Sequence, residues 1–391
     1  MLPFKSFTGI NNVSSSERLA PTELATATNV DVDLTGALTR REGYARISTD
    51  AHTNLHQGDG FLLATVGLNG DLTAIVGETG TLVYPSLGHD RTWFCNLPDG
   101  RTVFTNGLIS GVTAGAAATA WGVPIPASTG ALTEVAGSLF AGEYRYQLTY
   151  VRLADGREGA PAYTAPVALT EGGIFLSGLP VLAGYKINVY LTSHNDGGAY
   201  LAGSTTNGLF TFTGANDALV LPCRTDHLDA PPAGILPTLW RSRVLLAVGN
   251  VMYASRPNQW ELFDLRRDFK QFDAPITALA AVDGGVFVGT ETELAFLAGV
   301  EFDKLNYRRV VAGGTVLGST VPVRGEHIKQ GEGRPRQGDA VVCIADRRII
   351  GGFSDGSVVR LSEGRYETAV TEVHASFRMN DGTPQYIAIP Q

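Results

Sequence analysis

The sequence predicts an all-β fold, and three observations carry this prediction. Asp-Gly and Asn-Gly pairs recur along the 391 residues, and both members of such a pair tolerate the positive φ angles of tight hairpin turns. Short runs rich in Val, Leu, Thr and aromatic residues lie between these turns. A unit of apolar strand, glycine turn and second apolar strand repeats weakly at residues 61–84, 244–263, 277–297 and 340–361, which indicates the blades of a β-propeller.

Residues 1–47 are predicted to form an extended N-terminal arm and a first hairpin. Within them, residues 22–28 favour one or two helical turns, with Thr22 as the N-cap. Residues 31–42 match the spacing of a calcium-binding loop, whose candidate oxygen ligands are Asp31, Asp33, Thr35 and Glu42.

The β-hairpin is nevertheless the favoured interpretation of this calcium-loop-like segment. Gly43 follows Glu42 directly and opposes the exiting helix that a calcium loop requires. A strand ending near Asp33, a turn at Thr35 and Gly36, and a returning strand explain the same residues. We therefore expect no metal, and no other cofactor is indicated.

The remaining chain divides into a propeller and an insertion. Residues 48–136 are predicted as the first part of the propeller and residues 224–391 as the second part. Between them, residues 137–223 contain strands with strict period-two alternation, such as Tyr144, Tyr146, Leu148 and Tyr150. Their spacing is typical of an immunoglobulin-like or fibronectin-III-like β-sandwich, which we expect to be inserted into the propeller.

Composition excludes several classes of protein. The formal net charge of −8 argues against a dedicated nucleic-acid binder, although an acidic wall along which DNA slides remains compatible with it. Three distant cysteines without a CxxC pair indicate neither a disulfide framework nor a zinc site. Neither a signal peptide nor a membrane span is expected, so folding in a reducing bacterial cytoplasm is predicted.

Two clusters of polar residues invite a functional interpretation. His52 and His56 have the spacing of zinc ligands on a helix, but Thr53 replaces the glutamate of that motif, so two exposed loop histidines are favoured. A basic, glycine-rich loop is a candidate contact for DNA or an acidic neighbour, with a mobile solvated loop as the alternative. Its cationic residues are Arg324, His327, Lys329, Arg334 and Arg336.

Three segments together resemble the tail nozzle or tail-hub proteins of short-tailed, podovirus-like bacteriophages. The first is FTGINNVSSSERLAPTELATATNVDVDLTGALTRREGY at residues 7–44, with its GINN turn, NVDVD strand and RREGY end. The others are LWRSRVLLAVGNVMYASRPNQWELFD at residues 239–264 and ITALAAVDGGVFVGTETELAFLAG at residues 276–299, which look like consecutive propeller blades.

This resemblance implies a structural virion protein rather than an enzyme. It implies a ring, commonly a homohexamer, that extends the DNA channel below the portal and adaptor, carries tail fibres or spikes, and retains the genome until ejection. Double-stranded DNA would pass without sequence-specific contacts. We expect subunit contacts in the arm and at an exposed aromatic corner, with Phe4, Phe7, Ile10, Trp260 and Phe263 as candidates.

Two other functions remain open from the residues. A tail-tip protein that docks a receptor or a fibre would use the inserted sandwich as its binding module. A tail-borne glycan hydrolase would need two carboxylates at a defined separation, and pairs such as Glu261 and Asp264 are too common to establish one.

Overall fold

A computed structural model describes residues 6–33, 35–43, 45–46, 48, 50–328, 336–380 and 382–391. Strands dominate these ranges, which contain no α-helix and no helix long and apolar enough to cross a membrane. Their helical segments are short 3-10 turns at Ser16–Arg18, Asn216–Ala218, Phe302–Lys304 and Gly325–His327. The predicted all-β, propeller-like fold is confirmed.

The N-terminal module consists of two small sheets. It contains β1 (Gly9–Ile10), β2 (Glu23–Leu24), β3 (Val30–Val32) and β4 (Leu38–Arg40). Strand β1 pairs in parallel with β2, so the helical turns predicted for residues 22–28 are wrong: the backbone of Leu24 accepts a hydrogen bond from Asn11 instead of continuing a helix. Strands β3 and β4 form an antiparallel hairpin.

Two propeller blades follow, each a four-stranded antiparallel meander. Blade 1 contains β5 (His52–Gln57), β6 (Leu62–Val66), β7 (Asp71–Val76) and β8 (Thr79–Tyr84). Blade 2 contains β9 (Trp93–Asn96), β10 (Thr102–Thr105), β11 (Ser110–Thr113) and β12 (Thr119–Ala120). In both blades Asp-Gly or Asn-Gly pairs lie in the turns, as at Asn69-Gly70 and Asn106-Gly107, where both glycines have positive φ.

The inserted β-sandwich follows β12. Its strands are β13 (Ala131–Ala136), β14 (Gly142–Tyr144), β15 (Tyr146–Arg152), β16 (Ala162–Tyr163), β17 (Val167–Leu169), β18 (Gly172–Ser177), β19 (Tyr185–Thr192), β20 (Ala199–Thr205) and β21 (Phe210–Phe212). The sheet β13-β18-β21 faces the sheet β16-β15-β19-β20, and Leu148, Ile174 and Val189 meet in the core between them. Because β13 pairs with β18, the predicted border at residue 137 lies too late.

Three further blades complete the described propeller. Blade 3 contains β22 (Ile235–Trp240), β23 (Arg243–Val248), β24 (Val251–Arg256), β25 (Gln259–Phe263) and β26 (Phe269–Gln271). Blade 4 contains β27 (Ile276–Val282), β28 (Gly285–Thr290), β29 (Leu294–Ala298) and β30 (Asn306–Val311). Blade 5 contains β31 (Val321–Arg324), β32 (Asp339–Ala345), β33 (Arg348–Phe353) and β34 (Val358–Arg360).

A two-stranded hairpin ends the chain and takes the next position around the axis. It contains β35 (Val373–Asn380) and β36 (Thr383–Pro390). On one side of the hairpin, Phe377 and Tyr386 pack against buried apolar residues of β31, β32 and β33 in blade 5. On the other side, the guanidinium of Arg91, in the link between blades 1 and 2, lies 2.9 Å from the Glu372 carboxylate. We call this hairpin the half-blade.

Apolar packing between blades forms the propeller core. Strand β28 is buried along its whole length, and its alternating side chains face both neighbours: Val286 and Val288 pack towards blade 3, whereas Phe287 packs towards blade 5. Strands buried on both faces are close to continuously apolar, which explains the unbroken GVFVG run. The burial of apolar surface between blades is therefore the main force that holds the ring together.

A buried charge cluster fastens the sandwich to the propeller. Glu261, on β25, has a side chain only 7% exposed, and its Oε1 accepts a hydrogen bond of 2.8 Å from Arg101 Nη1 of blade 2. Arg157, in the loop after β15, also donates to Oε1, and Arg152 Nη2 of the sandwich lies 3.5 Å from Oε2. One carboxylate of blade 3 thus joins a guanidinium group of blade 2 to two guanidinium groups of the sandwich, and we call these four residues the Glu261 cluster.

Substitution of Glu261 by alanine is predicted to destabilise the protein strongly. The change removes the carboxylate that Arg101 and Arg152 share and leaves each with one more exposed partner, Asp99 or Asp155. The expected loss of unfolding free energy is about 3 kcal/mol, the lower end of the range for breaking a buried pair. Chemical denaturation followed by fluorescence measures this loss.

A matched control comes from Glu301, which forms an exposed ion pair with Lys304. Glu301→Ala should leave the midpoint of unfolding unchanged within error, because exposed pairs contribute little. Equal effects of the two substitutions would contradict a structural role for the Glu261 cluster.

Candidate functional site: the axial cavity

A cavity of about 520 Å³ lies on the propeller axis. The first strand of each blade contributes to its wall, as do β35 of the half-blade and the link between blades 1 and 2. Such axial cavities arise because the inner strands diverge from the axis while their side chains fill only part of the space. This is the candidate site, since concave pockets with a few polar groups are where ligands bind.

The polar residues of the wall mostly form hydrogen bonds and ring contacts between neighbouring strands. His56 stacks on Phe94 with ring centroids 4.8 Å apart, and its Nε2 lies 2.9 Å from Asn96 Oδ1. Asn96 in turn donates from Nδ2 to the carbonyl oxygen of Gln57 at 2.9 Å. These contacts join β5 of blade 1 to β9 of blade 2.

Asn54 connects blade 1 to the link that follows it. Its backbone adopts a positive φ of 52° within an irregular stretch of the β5–β6 pairing, a conformation that Asn tolerates better than most residues. The side chain donates to the Asp90 carbonyl oxygen at 2.9 Å and accepts from the Thr92 backbone N–H at 3.0 Å. An amide is needed here because it provides both a donor and an acceptor.

Arg91 provides the cationic group of the cavity wall. Its guanidinium carbon lies 4.2 Å from the ring centroid of Trp93, which is within cation–π distance. The same group pairs with Glu372, so its charge is largely neutralised within the protein. Burial and the positive charge of Arg91 lower the pKa of the neighbouring His374.

The cavity contains no activated nucleophile among the described residues that line it. Cys95 is buried, and this burial raises the pKa of its thiol to about 12, so the reactive thiolate is scarce at neutral pH. Cys223 and Cys343 are also buried free thiols. Burial also raises the pKa of these two thiols, so all three cysteines are poor nucleophiles at neutral pH.

The predicted calcium-loop residues are not part of the cavity wall and lie in and just after the β3–β4 hairpin. Asp33 Oδ1 accepts hydrogen bonds from the backbone N–H groups of Thr35 and Ala37 at 2.8 and 2.9 Å, and Asp31 pairs with Arg41. These contacts are those of a hairpin turn. Glu42 follows the hairpin, and the described residues contain no cluster of three metal-ligating side chains.

The histidine prediction needs correction. His52 and His56 do not lie in a loop: both lie on β5, in alternate half-buried positions of an inner strand. Burial lowers the pKa of His56, whereas the hydrogen bond to Asn96 opposes this effect. The imidazole of His56 thus connects blade 1 to blade 2 at the cavity wall.

The expected aromatic subunit contacts also need correction. Phe263 is 0% exposed, and its ring meets Trp121 edge-to-face at 6.1 Å. Trp260 is half-buried, and its indole N–H donates to the Ser242 carbonyl oxygen at 3.0 Å. Blades 2 and 3 close around this corner, so it is not an exposed surface.

The arm residues pack on their own chain. Phe7 and Ile10 are half-buried, whereas Phe4 lies outside the described residues. Asn12 fixes the arm to the segment after blade 5, since its side chain donates to the Glu367 carbonyl oxygen at 2.8 Å and accepts from the Glu367 N–H at 2.9 Å.

The described part of the basic loop is partly neutralised. Arg324 lies 2.9 Å from Asp339, Arg336 lies 3.1 Å from Asp355, and His327 stacks on Phe377. Lys329 and Arg334 lie outside the described residues. The loop connects the inner two strands of blade 5, on the same side of the propeller as the turn that carries Arg241.

Comparisons with known proteins give no family. No family model and no curated protein matches the sequence. Among solved structures, BBS1N in complex with ARL6DN matches 88% of this chain and 91% of its own, at 8% identity and a TM-score of 0.31.

Two further solved structures are similar at the same level. The fission yeast SREBP–SCAP binding domains match 90% of this chain and 93% of their own, at 9% identity and a TM-score of 0.32. Sqt1 of Saccharomyces cerevisiae matches 76% of this chain and 95% of its own, at 10% identity and a TM-score of 0.21. Such values carry no argument about function.

A pH-dependent stability is predicted from His56. Its pKa in the folded protein is below the value of about 6.5 expected when unfolded, so the unfolded chain binds the proton more readily. The stabilisation is fully present above the pKa of the unfolded chain, and it is lost as the pH falls from there through the lower pKa of the folded protein. His56→Asn should flatten the dependence of the urea midpoint on pH between 7.5 and 5.5.

The control is His52→Asn, which also removes an imidazole from β5. Its urea midpoint is measured over the same pH range. An unchanged slope in the His56→Asn variant would contradict the proposed effect of burial.

Proposed function

We propose that this chain is a structural subunit of the tail of a short-tailed bacteriophage, a nozzle or hub protein that forms a ring below the portal and adaptor. The observation that carries the proposal is the occurrence, in one chain, of the nozzle-like segment at residues 7–44 and a β-propeller with an inserted sandwich. In this proposal the protein has no catalytic residue, acts in the virion tail, and is assembled in the cytoplasm of the host.

The dimensions of the axial cavity bear on the path of DNA in this proposal. The cavity has a volume of about 520 Å³, and hydrogen bonds between neighbouring strands hold its wall together. It is too small for double-stranded DNA, whose major groove alone is about 12 Å wide. The channel would therefore run between subunits, along the axis of the ring. A homohexamer of subunits with a formal charge of −8 would repel phosphate and leave few points where DNA is retained by attraction.

Assembly is predicted to depend on copies of this chain and on the adaptor. The purified full-length protein, alone or with the portal–adaptor complex, should form a closed ring by light scattering and negative-stain imaging. The mass of the ring gives the subunit number. A monomer that does not associate with the portal–adaptor complex would contradict the proposal, and the same complex without this protein is the control.

A second candidate function is docking of a receptor or a tail fibre by the sandwich. The observation that favours it is Phe140, which is 64% exposed and stacks edge-on against His194 at 5.9 Å. Both lie at the end of the sandwich opposite the Arg152–Arg157 loop, which holds the propeller. Aromatic side chains, Phe included, are enriched at protein interfaces.

This candidate predicts a local effect. Phe140→Ser should reduce adsorption of the tail to host cells or its binding of fibres by tenfold or more. Leu153→Ser removes a similarly exposed apolar side chain at the other end of the sandwich and should leave both unchanged. Equal binding by the two variants would exclude this end of the sandwich as the docking site.

A further inference from the structure

The wall of the axial cavity has an apolar half and a polar half. Blades 3 and 4 face the half-blade and blade 1 across the axis, because five blades and the half-blade follow one another around it. Among the described residues, blades 3 and 4 line the cavity with mostly apolar side chains, including Leu236, Leu239 and Leu279, and with one hydroxyl. That hydroxyl, of Thr238, already donates to the Leu236 carbonyl oxygen at 3.0 Å. This half therefore offers apolar contact and no free polar side chain.

The polar half contains one permanent charge. Arg91 is the only arginine or lysine that the described residues place on the cavity wall, and no carboxylate of a described residue lies there. Glu372 takes only Nη1 of Arg91, at 2.9 Å, and is not part of the wall. In the described part of the chain nothing else accepts a hydrogen bond from this guanidinium, and its Nε and Nη2 atoms are not buried. These N–H groups are therefore available to an acceptor from outside.

His374, on β35, adds a second donor to the polar half. Burial and the positive charge of Arg91 lower its pKa, so its imidazole is neutral at neutral pH. A neutral imidazole keeps one N–H donor. No described residue forms a hydrogen bond with this ring, whose nitrogen atoms are not buried. Two side chains of the same half thus present unused N–H groups.

Two strained residues and one glycine shape the wall. Leu236 has a positive φ of 59° within an irregular stretch of the β22–β23 pairing, as Asn54 has within β5–β6. Such a backbone is unusual for a bulky side chain, and strain and bulges are concentrated next to binding sites. Gly318 makes room for the cation, because a Cβ there would collide with the guanidinium of Arg91.

The cavity is open to solvent and has the size of a ligand site. Leu55 and Asn96 belong to its wall and are exposed, the former to 61%. Its volume of about 520 Å³ lies within the range of about 300–1,000 Å³ that is typical of small-molecule pockets. A molecule with an apolar body and a polar end therefore matches both halves.

We propose that the axial cavity binds a small organic acid. The carboxylate would accept hydrogen bonds from Arg91 and His374, and charge-assisted bonds of this kind are the strong ones. The apolar body would pack across the axis against Leu236, Leu239 and Leu279. A cationic group would meet Arg91 without a carboxylate on the wall, so an amine is disfavoured. This binding goes beyond the tail function and does not depend on it.

The test uses the full-length protein and three probes of nearly equal size: benzoate, benzamide and benzylamine. In calorimetric titrations at neutral pH, benzoate should bind at least tenfold more tightly than benzamide, because hydrogen bonds to a charged acceptor are stronger than those to a neutral amide. Benzylamine, a cation at this pH, should bind more weakly still. Benzoate that binds no more tightly than benzamide would overturn the assignment of an acid.

The role of Arg91 is tested by Arg91→Gln, which removes the charge. The variant should bind benzoate at least tenfold more weakly than the native protein and should bind benzamide unchanged. Arg309→Gln is the matched control, because Arg309 is 61% exposed on the outer strand of blade 4 and is not part of the wall. Equal affinities of the two variants for benzoate would exclude Arg91 as the anion-binding residue.

A second variant keeps the test decisive if loss of the Arg91–Glu372 pair loosens the half-blade. Ala281, on β27, lines the apolar half, and Ala281→Leu would fill part of the cavity while Arg91 stays in place. This variant should bind benzoate and benzamide tenfold more weakly and keep the thermal midpoint of the native protein. Unchanged binding of benzoate would place the acid elsewhere on the protein and overturn the inference. Ring assembly is measured without benzoate, so failure here leaves the tail function standing.

Discussion

Closure between the last and the first blade is the constraint on which the rest of this structure depends. Five blades and a hairpin of two strands surround the axis, and the hairpin lies between blade 5 and blade 1. The Arg91–Glu372 ion pair and the packing of Phe377 and Tyr386 hold that hairpin in place. The inner wall is therefore complete while the outer half of the sixth position is open.

The inserted sandwich depends on a second, electrostatic constraint. Its two connections to the propeller would by themselves allow it to turn, because links between domains are commonly flexible. The Glu261 cluster removes this freedom, since three guanidinium groups converge on one buried carboxylate. Burial of Glu261 also makes the arrangement specific, because separating the sandwich from the propeller would break the contacts of Arg152 and Arg157 with this carboxylate.

The sequence predicts the fold class well because turns and alternation are local signals. Asn69-Gly70 and the alternating tyrosines of β15 specify hairpins and strands without reference to distant residues. The Glu261 cluster was not predictable, because its arginines are separated from Glu261 by as many as 160 residues. The burial of Phe263 and the position of His56 on an inner strand were mispredicted for the same reason: both depend on which blades become neighbours.

The prolines of β36 explain how an open sheet edge is compatible with a stable single chain. Edge strands with free N–H groups invite uncontrolled pairing, and proline is one of the residues that prevents it. Pro384 and Pro390 leave donors only at Tyr386 and Ala388, which is too short an edge for a long foreign strand.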